Sequence, residues 1–413
     1  MRRAAVCAAA LVLFAPPADA QKLRDRIASL VTFGEWTVPL RVGTASPDGR
    51  SVVATDVFFP EAGSPNAALL TFVTSWMQAS AANAPVSSTG GGTAFTFDGG
   101  TPVAQSVSPG PIFGEYATTL GRGAVLAGAS YTGVRYSKVR GVPSDQLQLT
   151  FTPRAGAAGP TDALDLRVAL DYDLAMTSFY GTVGVLDRLD VGLVVPIVQA
   201  RLRGVSNAQI VSRDGTTPSV MIGGTTAAPQ LSSRQSIDGS ASGFGDVALR
   251  VKGTVLDRPG VAVGLLGDIR FPTGDERDLL GSGSLSLRAL GLYSARIGRF
   301  APRVSAGYLY YAEESINDAV LATAGFDQDV TSWATLAVSL ISELHVGESA
   351  YQLPTGQPDA ANIPAIRDDA LSASGGFKVR VAGVRGVFNA LLPVTRGGPR
   401  PDFAYTLGLE RDF

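Results

Sequence analysis

Alternation of apolar and polar residues dominates the chain from about residue 122 onward. In DVALRVKGTVLD (246–257), Val247 and Leu249 share one parity, and Asp246, Arg250 and Lys252 share the other. SLSLRALGLYSAR (284–296) and DLRVALDYD (165–173) repeat the pattern. A period of two is typical of a β-strand whose two faces meet different environments. The pattern fits either a soluble β-sandwich with a charged outer surface or a membrane barrel with a wet lumen.

The breaks between these stretches favour the barrel. LDRL (186–189) and VAGVRG (381–386) are tight, whereas 204–242, 314–330 and 355–370 are long and polar. Short and long breaks that alternate are typical of the periplasmic turns and outer loops of an outer-membrane barrel. We therefore predict an all-β, antiparallel transmembrane barrel of about 14 strands, or about 12 if a hairpin is lost. The predicted strands are 122–136, 145–154, 162–173, 176–187, 188–203, 243–257, 260–272, 282–297, 300–313, 331–346, 348–354, 371–381, 384–393 and 402–412.

The polar faces of these strands are predicted to line the lumen. There, cations and carboxylates would pair in a solvated network. The residues assigned to this network are Arg167, Arg250, Lys252, Arg288, Arg296, Lys378 and Arg380, with Asp165, Asp171, Asp173 and Glu410.

The chain ends on FAYTLGLERDF (403–413), whose alternation puts Phe403, Leu407, Leu409 and Phe413 on one face. A strand that closes a barrel pairs with the first strand and turns its apolar face to lipid. We interpret this segment as the closing strand. Its terminal aromatic residue resembles the C-terminal signal read by the outer-membrane assembly machinery. The alternative is an ordinary closing strand of a soluble sheet.

The first residues, MRRAAVCAAALVLFAPPADAQ, have the features of a secretory signal peptide. Arg2 and Arg3 precede a short apolar run, and Ala18 and Ala20 stand where an A-x-A cleavage site requires small residues. We therefore predict that residues 1–20 are removed on export.

Composition narrows the classes of function. Of 413 residues, 45 % are hydrophobic, and the formal net charge of −2 offers no basic footprint for nucleic acid. The single cysteine, Cys7, lies in the predicted signal peptide, so no thiol remains for a disulfide or a metal site. No later segment offers the roughly 18 consecutive apolar residues of a transmembrane helix. These features predict a location in the outer membrane of a Gram-negative-type bacterium.

Residues 21–121 differ from the strand-rich remainder. NAALLTFVTSWMQ has helical apolar spacing, and about a hundred patterned residues before the first strand fit a partly helical plug inside the barrel, or else a small periplasmic domain. Phe72, Val73, Trp76 and Met77 are the candidate ligand-lining residues, because aromatic and methionine side chains form adaptable apolar pockets. The alternative is that they only pack the plug against the wall. The predicted order is signal peptide (1–20), plug (21–121) and barrel (122–413).

Few motifs suggest chemistry. In FPTGD, Asp275 is predicted to anchor a turn through its own backbone rather than to bind calcium with Glu276 and Asp278. His345 is the only histidine and is predicted near the periplasmic end of a strand, with Ser342 on the opposite face. We therefore predict no catalytic residue, metal site or cofactor.

Several stretches resemble a known family. YGTVGVLDRLDVGLVVPIV (180–198), GFGDVALRVKGTV (243–255) and RFPTGDERDLLGSGSLSL (270–287) are similar to segments of the outer-membrane family named for the MetA pathway of phenol degradation. That family is related to FadL- and TodX-type hydrophobic-compound channels. APVSSTGGGTAFTFDGGTP and GPIFGEYATTLGRG (110–123) are similar to the entry from plug to barrel in such channels.

The resemblance implies passive uptake of small hydrophobic or aromatic compounds, with the outer-membrane bilayer, the solute and the assembly machinery as partners. Two other hypotheses remain open at this stage. One is a structural or adhesive barrel that binds partners through its outer loops. The other is a lipid-modifying enzyme, which requires a serine hydroxyl within hydrogen-bond reach of His345.

Overall fold

Strands predominate in the structure, a computed structural model. It describes residues 22–30, 72, 75–77, 80, 94–98, 101–105, 115–153, 161–218, 220–225, 228–313, 316–349, 353, 360–381, 383–398 and 401–412. The helical elements are α1 (Leu23–Ser29) and a 3₁₀ turn at Glu276–Asp278, and residues 72, 75–77 and 80 are also helical. None of the described helices is long and apolar enough to cross a membrane. The strands are β1 (Ala94–Asp98), β2 (Thr101–Gln105), β3 (Val125–Tyr136), β4 (Lys138–Val139), β5 (Val142–Pro143), β6 (Leu147–Phe151), β7 (Asp162–Leu186), β8 (Leu189–Ser212), β9 (Gly223–Thr225), β10 (Ala228–Gln230), β11 (Ser232–Phe244), β12 (Ala248–Arg258), β13 (Val261–Arg270), β14 (Ser286–Ala295), β15 (Phe300–Tyr311), β16 (Ala319–Asp329), β17 (Ala334–His345), β18 (Ala370–Val381), β19 (Val384–Pro393) and β20 (Phe403–Asp412).

Twelve strands close into an antiparallel barrel, in the order β3, β7, β8 and then β12 to β20. Closure is made by β20 against β3, where Phe403 lies opposite Arg135 and Asp412 lies opposite Leu126. Because each of these strands has two partners, the ring presents no unpaired edge to the bilayer. The predicted even-numbered barrel is confirmed, with twelve strands in the ring rather than fourteen.

The hairpin predicted at 173–176 is wrong, because β7 runs from Asp162 to Leu186 without a break. The sequence of residues 173–176, DLAM, contains neither Gly nor Pro and so does not favour a tight turn. The predicted strand 145–154 becomes the short strand β6, which pairs with β7 alone and stays outside the ring.

A strand that we did not predict, β16, lies within the predicted loop 314–330. Its sequence, AVLATAGFDQD, has small residues on both faces of the strand, so the two faces differ little in hydrophobicity. The additional strand reverses the direction of β17, so His345 lies at the long-loop end rather than at the predicted periplasmic end. The predicted strand 348–354 is not formed at the described residues 348, 349 and 353.

The outer face of the barrel wall is apolar and its inner face is polar. Leu249 and Leu287 are 36 % and 40 % exposed, whereas their neighbours Ala248 and Ser286 are 7 % and 4 % exposed. A band of apolar side chains on the outside of a closed barrel is buried only when lipid surrounds it. In the barrel wall the predicted assignment of the two faces is confirmed, and the protein is an outer-membrane barrel.

Two strands extend well beyond the membrane. β7 and β8 have 25 and 24 residues, roughly twice the 9–11 that a tilted strand needs to cross a bilayer. The two strands pair with each other throughout, and on its other edge the far half of β7 pairs with β6 instead of β3 and that of β8 with β11 instead of β12. Most of the predicted loop 204–242 is therefore strand. We call this part, made of β6, β11 and the halves of β7 and β8 that pair with them, the extension.

The pattern of faces inverts in the extension. Leu166 and Leu202 point inward and are 1 % and 0 % exposed, whereas Arg167 and Arg203 point outward and are exposed. The outer face meets water here, so charges lie outside and apolar residues pack inside, as in a soluble protein. We call the packed space on the inner side of the extension the apolar interior.

Candidate functional site

Ion pairs fill part of the lumen at the level of the membrane. The Asp327 carboxylate accepts hydrogen bonds from Arg303 at 2.5 Å and from Lys378 at 2.6 Å. All three side chains are at most 2 % exposed. Buried charges are tolerated only where each finds a partner of opposite sign, so the three groups neutralise one another in part inside the barrel.

A second cluster surrounds Asp268. Arg250 donates one hydrogen bond to Asp268 at 3.1 Å and another to Glu115 at 2.8 Å. Arg288 donates to the same Asp268 carboxylate at 3.0 Å. We predicted Lys378, Arg250 and Arg288 in the lumen, but neither Arg303 nor the carboxylates of these clusters. Asp268 shares the inward parity of Leu266 on β13 and could have been found from it.

Part of the predicted lumen network lies elsewhere. Arg167, Asp165, Asp171 and Asp173 stand on the outer face of the extension, where Asp171 pairs with Arg203 at 2.5 Å. The alternation in the sequence correctly puts these four residues on one face of the strand. It does not tell whether that face points into the barrel or out of it.

Residues 115–124 run along the inner wall before β3 begins. The Ala117 amide donates to Ser294 at 3.2 Å, and the Leu120 amide donates to Asp190 at 3.0 Å. Thr254 donates its hydroxyl hydrogen to the Ala117 carbonyl at 2.8 Å. This segment is therefore bonded to β8, β12 and β14 at once.

Glycines in the wall make room for this segment. A Cβ atom at Gly184 would lie 1.8 Å from the Gly121 carbonyl oxygen, and one at Gly264 would lie 2.7 Å from the Ala117 carbonyl oxygen. Glycine inside a strand often marks a close approach of another backbone. These two glycines are the signal from which the path of the segment could have been predicted.

Three of the four candidate ligand-lining residues come together in the apolar interior. Phe72, Trp76 and Met77 are 2 %, 4 % and 5 % exposed, and the Phe72 and Trp76 rings stack with centroids 5.8 Å apart. Val73 lies outside the described residues. The group therefore packs with the apolar residues of the long-loop end, including Leu202, and not with the ion pairs at the level of the membrane.

Arg140 holds this helical segment to a distant loop. Its guanidinium donates two hydrogen bonds to Asp368, each at 2.9 Å, and lies 5.1 Å from the Phe72 ring centroid and 5.8 Å from the Trp76 ring centroid. Arg140 is 4 % exposed and has a positive φ of 47°. A cation over two aromatic faces and a bidentate carboxylate pair is a strong combination where water is excluded. Nothing in the sequence marks this residue except the turn-forming glycine after it.

The helix α1 closes the apolar interior from another side. Leu23 and Ile27, one helical turn apart, are 2 % and 6 % exposed in the same apolar cluster. On its polar side, Lys22 donates to Asp275 at 2.8 Å and to Asp278 at 2.5 Å. Two further ion pairs join the same elements, namely Arg24 with Glu276 and Arg277 with Asp25.

The acidic 3₁₀ turn is a structural anchor. Asp275 accepts hydrogen bonds from the amides of Arg277 and Asp278, which confirms the predicted turn. Burial would raise the pKa of Asp275, but hydrogen bonds from Lys22 and these two amides outweigh it and hold that pKa below its usual range. The hydrogen bonds that Lys22 donates to Asp275 and Asp278 raise the pKa of Lys22. Among the described residues, no group of histidine, cysteine, aspartate and glutamate side chains has the arrangement of a metal site.

The imidazole of His345 is buried at the end of β17. Its Nε2 lies 3.5 Å from the Glu343 carboxylate, and in the described part of the chain no serine hydroxyl is hydrogen-bonded to it. The arrangement that a serine hydrolase requires is thus not assembled from these residues.

Comparison with known proteins places the chain in a family. The model of the family described as "Putative MetA-pathway of phenol degradation" matches residues 150–392, which is more than half of the chain. The chain belongs to this family. The matched residues run from the end of β6 to β19 and so cover most of the barrel of this MetA-pathway family member.

Three solved structures with a similar arrangement are distant in sequence. The COG4313 outer membrane channel from Pseudomonas putida F1 is 15 % identical over 71 % of this chain and 97 % of its own, with a TM-score of 0.44. The toluene transporter TbuX from Ralstonia pickettii is 9 % identical over 71 % and 90 %, with a TM-score of 0.34. A FadL homologue from Pseudomonas aeruginosa is 11 % identical over 72 % and 91 %, with a TM-score of 0.32. None of the curated proteins matches the chain in sequence.

Proposed function

We propose that the protein is an outer-membrane channel for the passive uptake of small hydrophobic or aromatic compounds. The observation that carries this proposal is the apolar interior, which stands at the outer mouth of the barrel and includes Phe72, Trp76 and Met77. A hydrophobic solute gains free energy on leaving water for such a space, at about 25 cal/mol per Å² of apolar surface. The family and the names of the similar channels support the same kind of function.

In this proposal, residues 21–121 act as a plug. Its described parts bond to the wall through Glu115, Ala117 and Leu120 and to the apolar interior through α1 and Trp76. Because the segment 115–124 is bonded to several strands inside the barrel, a solute that leaves the apolar interior for the periplasm has to move it or pass beside it. Passive flow needs no nucleotide or metal, only a pathway that opens by local rearrangement.

The C-terminal strand is the proposed contact with the assembly machinery. The described part of β20 closes the barrel with Leu407 and Leu409 turned outward, 48 % and 62 % exposed. Phe413 lies outside the described residues, so its role as an assembly signal stays a prediction.

Trp76→Ala tests the channel proposal. We expect uptake of an alkylbenzene by a transport-deficient host to fall about fivefold, because an aromatic contact worth about 1 kcal/mol is lost. The matched control is Trp333→Ala, which removes the same side chain from the opposite end of the barrel, where it is 56 % exposed. Surface level and heat-modifiability on gels show whether each variant assembles.

Two results would count against the proposal. If the wild-type protein gives no more uptake than a host without it, the channel function fails and an adhesive or structural barrel is favoured. If wild-type uptake is clear but Trp76→Ala and Trp333→Ala behave alike, Trp76 only packs the plug, and the solute takes another path.

A further inference from the structure

A trough crosses the outer face of the wall where the barrel meets the extension. Its volume is about 1240 Å³. Strand register orders its lining into three rows, each made of residues that pair directly across neighbouring strands. The upper row is Phe403, Arg135, Asp173, Arg201 and Ser240, and the middle row is Tyr405, Gly133, Ala175, Gln199 and Ser242. The lower row is Tyr131, Ile197 and Phe244, which are in register with Leu407 and Thr177 outside the lining.

The trough exists because the middle row is small. Gly133, Ala175 and Ser242 leave the backbone open between the larger side chains above and below. Tyr405 lies flat over the wall at Gly133, where a Cβ atom would stand 2.6 Å from its ring. At its far end the trough reaches α1, where Lys22 is already bonded to Asp275 and Asp278.

The two lips of the trough differ in chemistry. The lower lip is apolar and aromatic, with Tyr131 39 % and Phe244 61 % exposed, and it continues into the lipid-facing band. The upper lip carries two arginines with one carboxylate, Asp173, between them. The Arg135 and Arg201 side chains are 64 % and 55 % exposed, and two strand spacings separate them by about 10 Å.

Both arginines of the upper lip keep hydrogen-bond donors for a further anion. Arg135 bonds to Asp173 at 3.1 Å, which occupies one of its donors. Among the described residues, Arg201 has one ion pair, a long contact of 3.7 Å to Asp238, whose side chain is itself 66 % exposed. A guanidinium offers five N–H donors in a fork that fits phosphate oxygens, so both arginines can donate hydrogen bonds to a phosphate that approaches from the lipid side.

We propose that this trough binds a phosphorylated lipid of the outer leaflet, of the lipid A type. Its acyl chains lie along the lower lip and the apolar band, and its phosphate meets Arg135 and Arg201 at the height where headgroups begin. Neutral aromatic residues below and cations above are the arrangement expected at a membrane interface. This inference does not depend on the proposed uptake function.

Two smaller depressions on the same outer face serve as a contrast. One, of about 610 Å³, is lined by residues such as Phe377, Phe388 and Leu407, and the other, of about 400 Å³, by residues such as Leu249 and Tyr310. The only arginine that lines either of them, Arg288, points its guanidinium to Asp268 in the lumen. They suit acyl chains alone, whereas the trough suits an acyl chain joined to an anionic head.

The test measures lipid binding to the purified full-length protein by native mass spectrometry in detergent. We expect diphosphorylated lipid A to bind, and the double variant R135Q/R201Q to bind it about tenfold more weakly, since charge-assisted hydrogen bonds to phosphate are lost. The control is R167Q/R234Q. These two arginines are also two strands apart on the same outer face. Both pair across to Asn207 of β8, which lies six residues beyond Arg201, or about 20 Å farther along the strand.

A second variant tests the trough itself. Ala175→Trp fills the middle row and keeps both arginines, so we expect it to lose lipid A while the barrel remains heat-modifiable. Equal lipid A affinity in the wild type and R135Q/R201Q overturns the proposal, as does equal affinity for dephosphorylated lipid A. Inorganic phosphate should not compete at millimolar concentration, and competition would mean a free-anion site. Loss of solute uptake without loss of lipid binding in Ala175→Trp would assign the trough to the solute instead.

Discussion

The barrel wall and the extension are built from the same strands but have opposite interiors. Along β8, Leu193 faces outward in the wall and is 48 % exposed, while Asp190 faces inward and is 1 % exposed. Farther along the same strand, Leu202 faces inward and Arg203 faces outward. Even-numbered residues of β8 face inward along the whole strand and odd-numbered residues face outward. Only the medium that contacts the outer face therefore differs between the two regions.

This difference shows that the polarity of the inner face depends on whether lipid or water contacts the outer face. Lipid on the outer face requires apolar residues there and leaves the lumen to paired charges. Water on the outer face requires polar residues there and lets the interior become apolar. The proposed function follows from the order of the two regions, since a solute meets the apolar interior before the polar lumen.

The largest effect is expected where the wall depends on buried charge. Asp327→Asn removes the carboxylate shared by Arg303 and Lys378, and breaking a buried pair costs about 3–5 kcal/mol. We expect a marked fall in the urea concentration that unfolds the barrel in detergent. Asp329→Asn is the control, because its partner Arg296 is half exposed. Equal midpoints for the two variants would mean that the lumen is not stabilised by these pairs.

In the extension, stability should depend on apolar packing instead. Leu202→Ala empties a site that is 0 % exposed, and such a truncation costs about 2–5 kcal/mol. The neighbouring Arg203→Ala, on the water-exposed face, removes a surface ion pair with Asp171 and should change stability by about 1 kcal/mol or less. Proteolysis of the intact protein under native conditions measures local opening, and the comparison fails if both variants are cut at the same rate.

A charge placed on the outer face should distinguish the two regions directly. Leu193→Arg puts a guanidinium into the lipid-facing band and should cost about 2–4 kcal/mol. Val205→Arg lies on the same strand with the same outward parity but in the extension, and should cost less than about 0.5 kcal/mol. Unfolding in lipid vesicles gives both values. If the two substitutions are equally costly, the boundary between the regions is misplaced.

The smallest effect concerns the ion pairs of α1. Because the pKa of Asp275 is held below its ordinary value of 3.8 in the folded protein, its contribution is present above pH 3.8 and is lost as the pH falls through the lowered value. We expect residues 23–30 to exchange amide hydrogens faster, relative to the free-peptide rate at each pH, at pH 2.5 than at pH 6. Asp275→Asn should weaken this dependence, and what remains comes from the other carboxylates of the same ion pairs. An unchanged dependence in that variant would show that another group controls the docking of α1.

Much of the barrel was predictable, because its strands repeat a strong period of two and its turns at one end are short. The inversion in the extension was not, since Leu166 and Leu249 occupy the same kind of pattern and only the surrounding solvent tells them apart. β16 was missed because small residues weaken its contrast. The contacts of Arg140 join residues 228 positions apart, and no local pattern reports such a pairing.

The most direct test of this account is a depth scan along the outward face of β8. Single cysteines would replace Leu193, Val195, Ile197, Gln199 and Arg201 in turn, since the chain has no other cysteine than Cys7. Each would carry a nitroxide spin label in lipid vesicles. We predict that labels up to Ile197 are broadened by oxygen dissolved in the lipid, and that labels at Arg201 and beyond are broadened by a water-soluble nickel reagent. Oxygen broadening that continues without change past Arg201 would contradict the account, because the extension would then lie in lipid and its apolar interior would need another explanation.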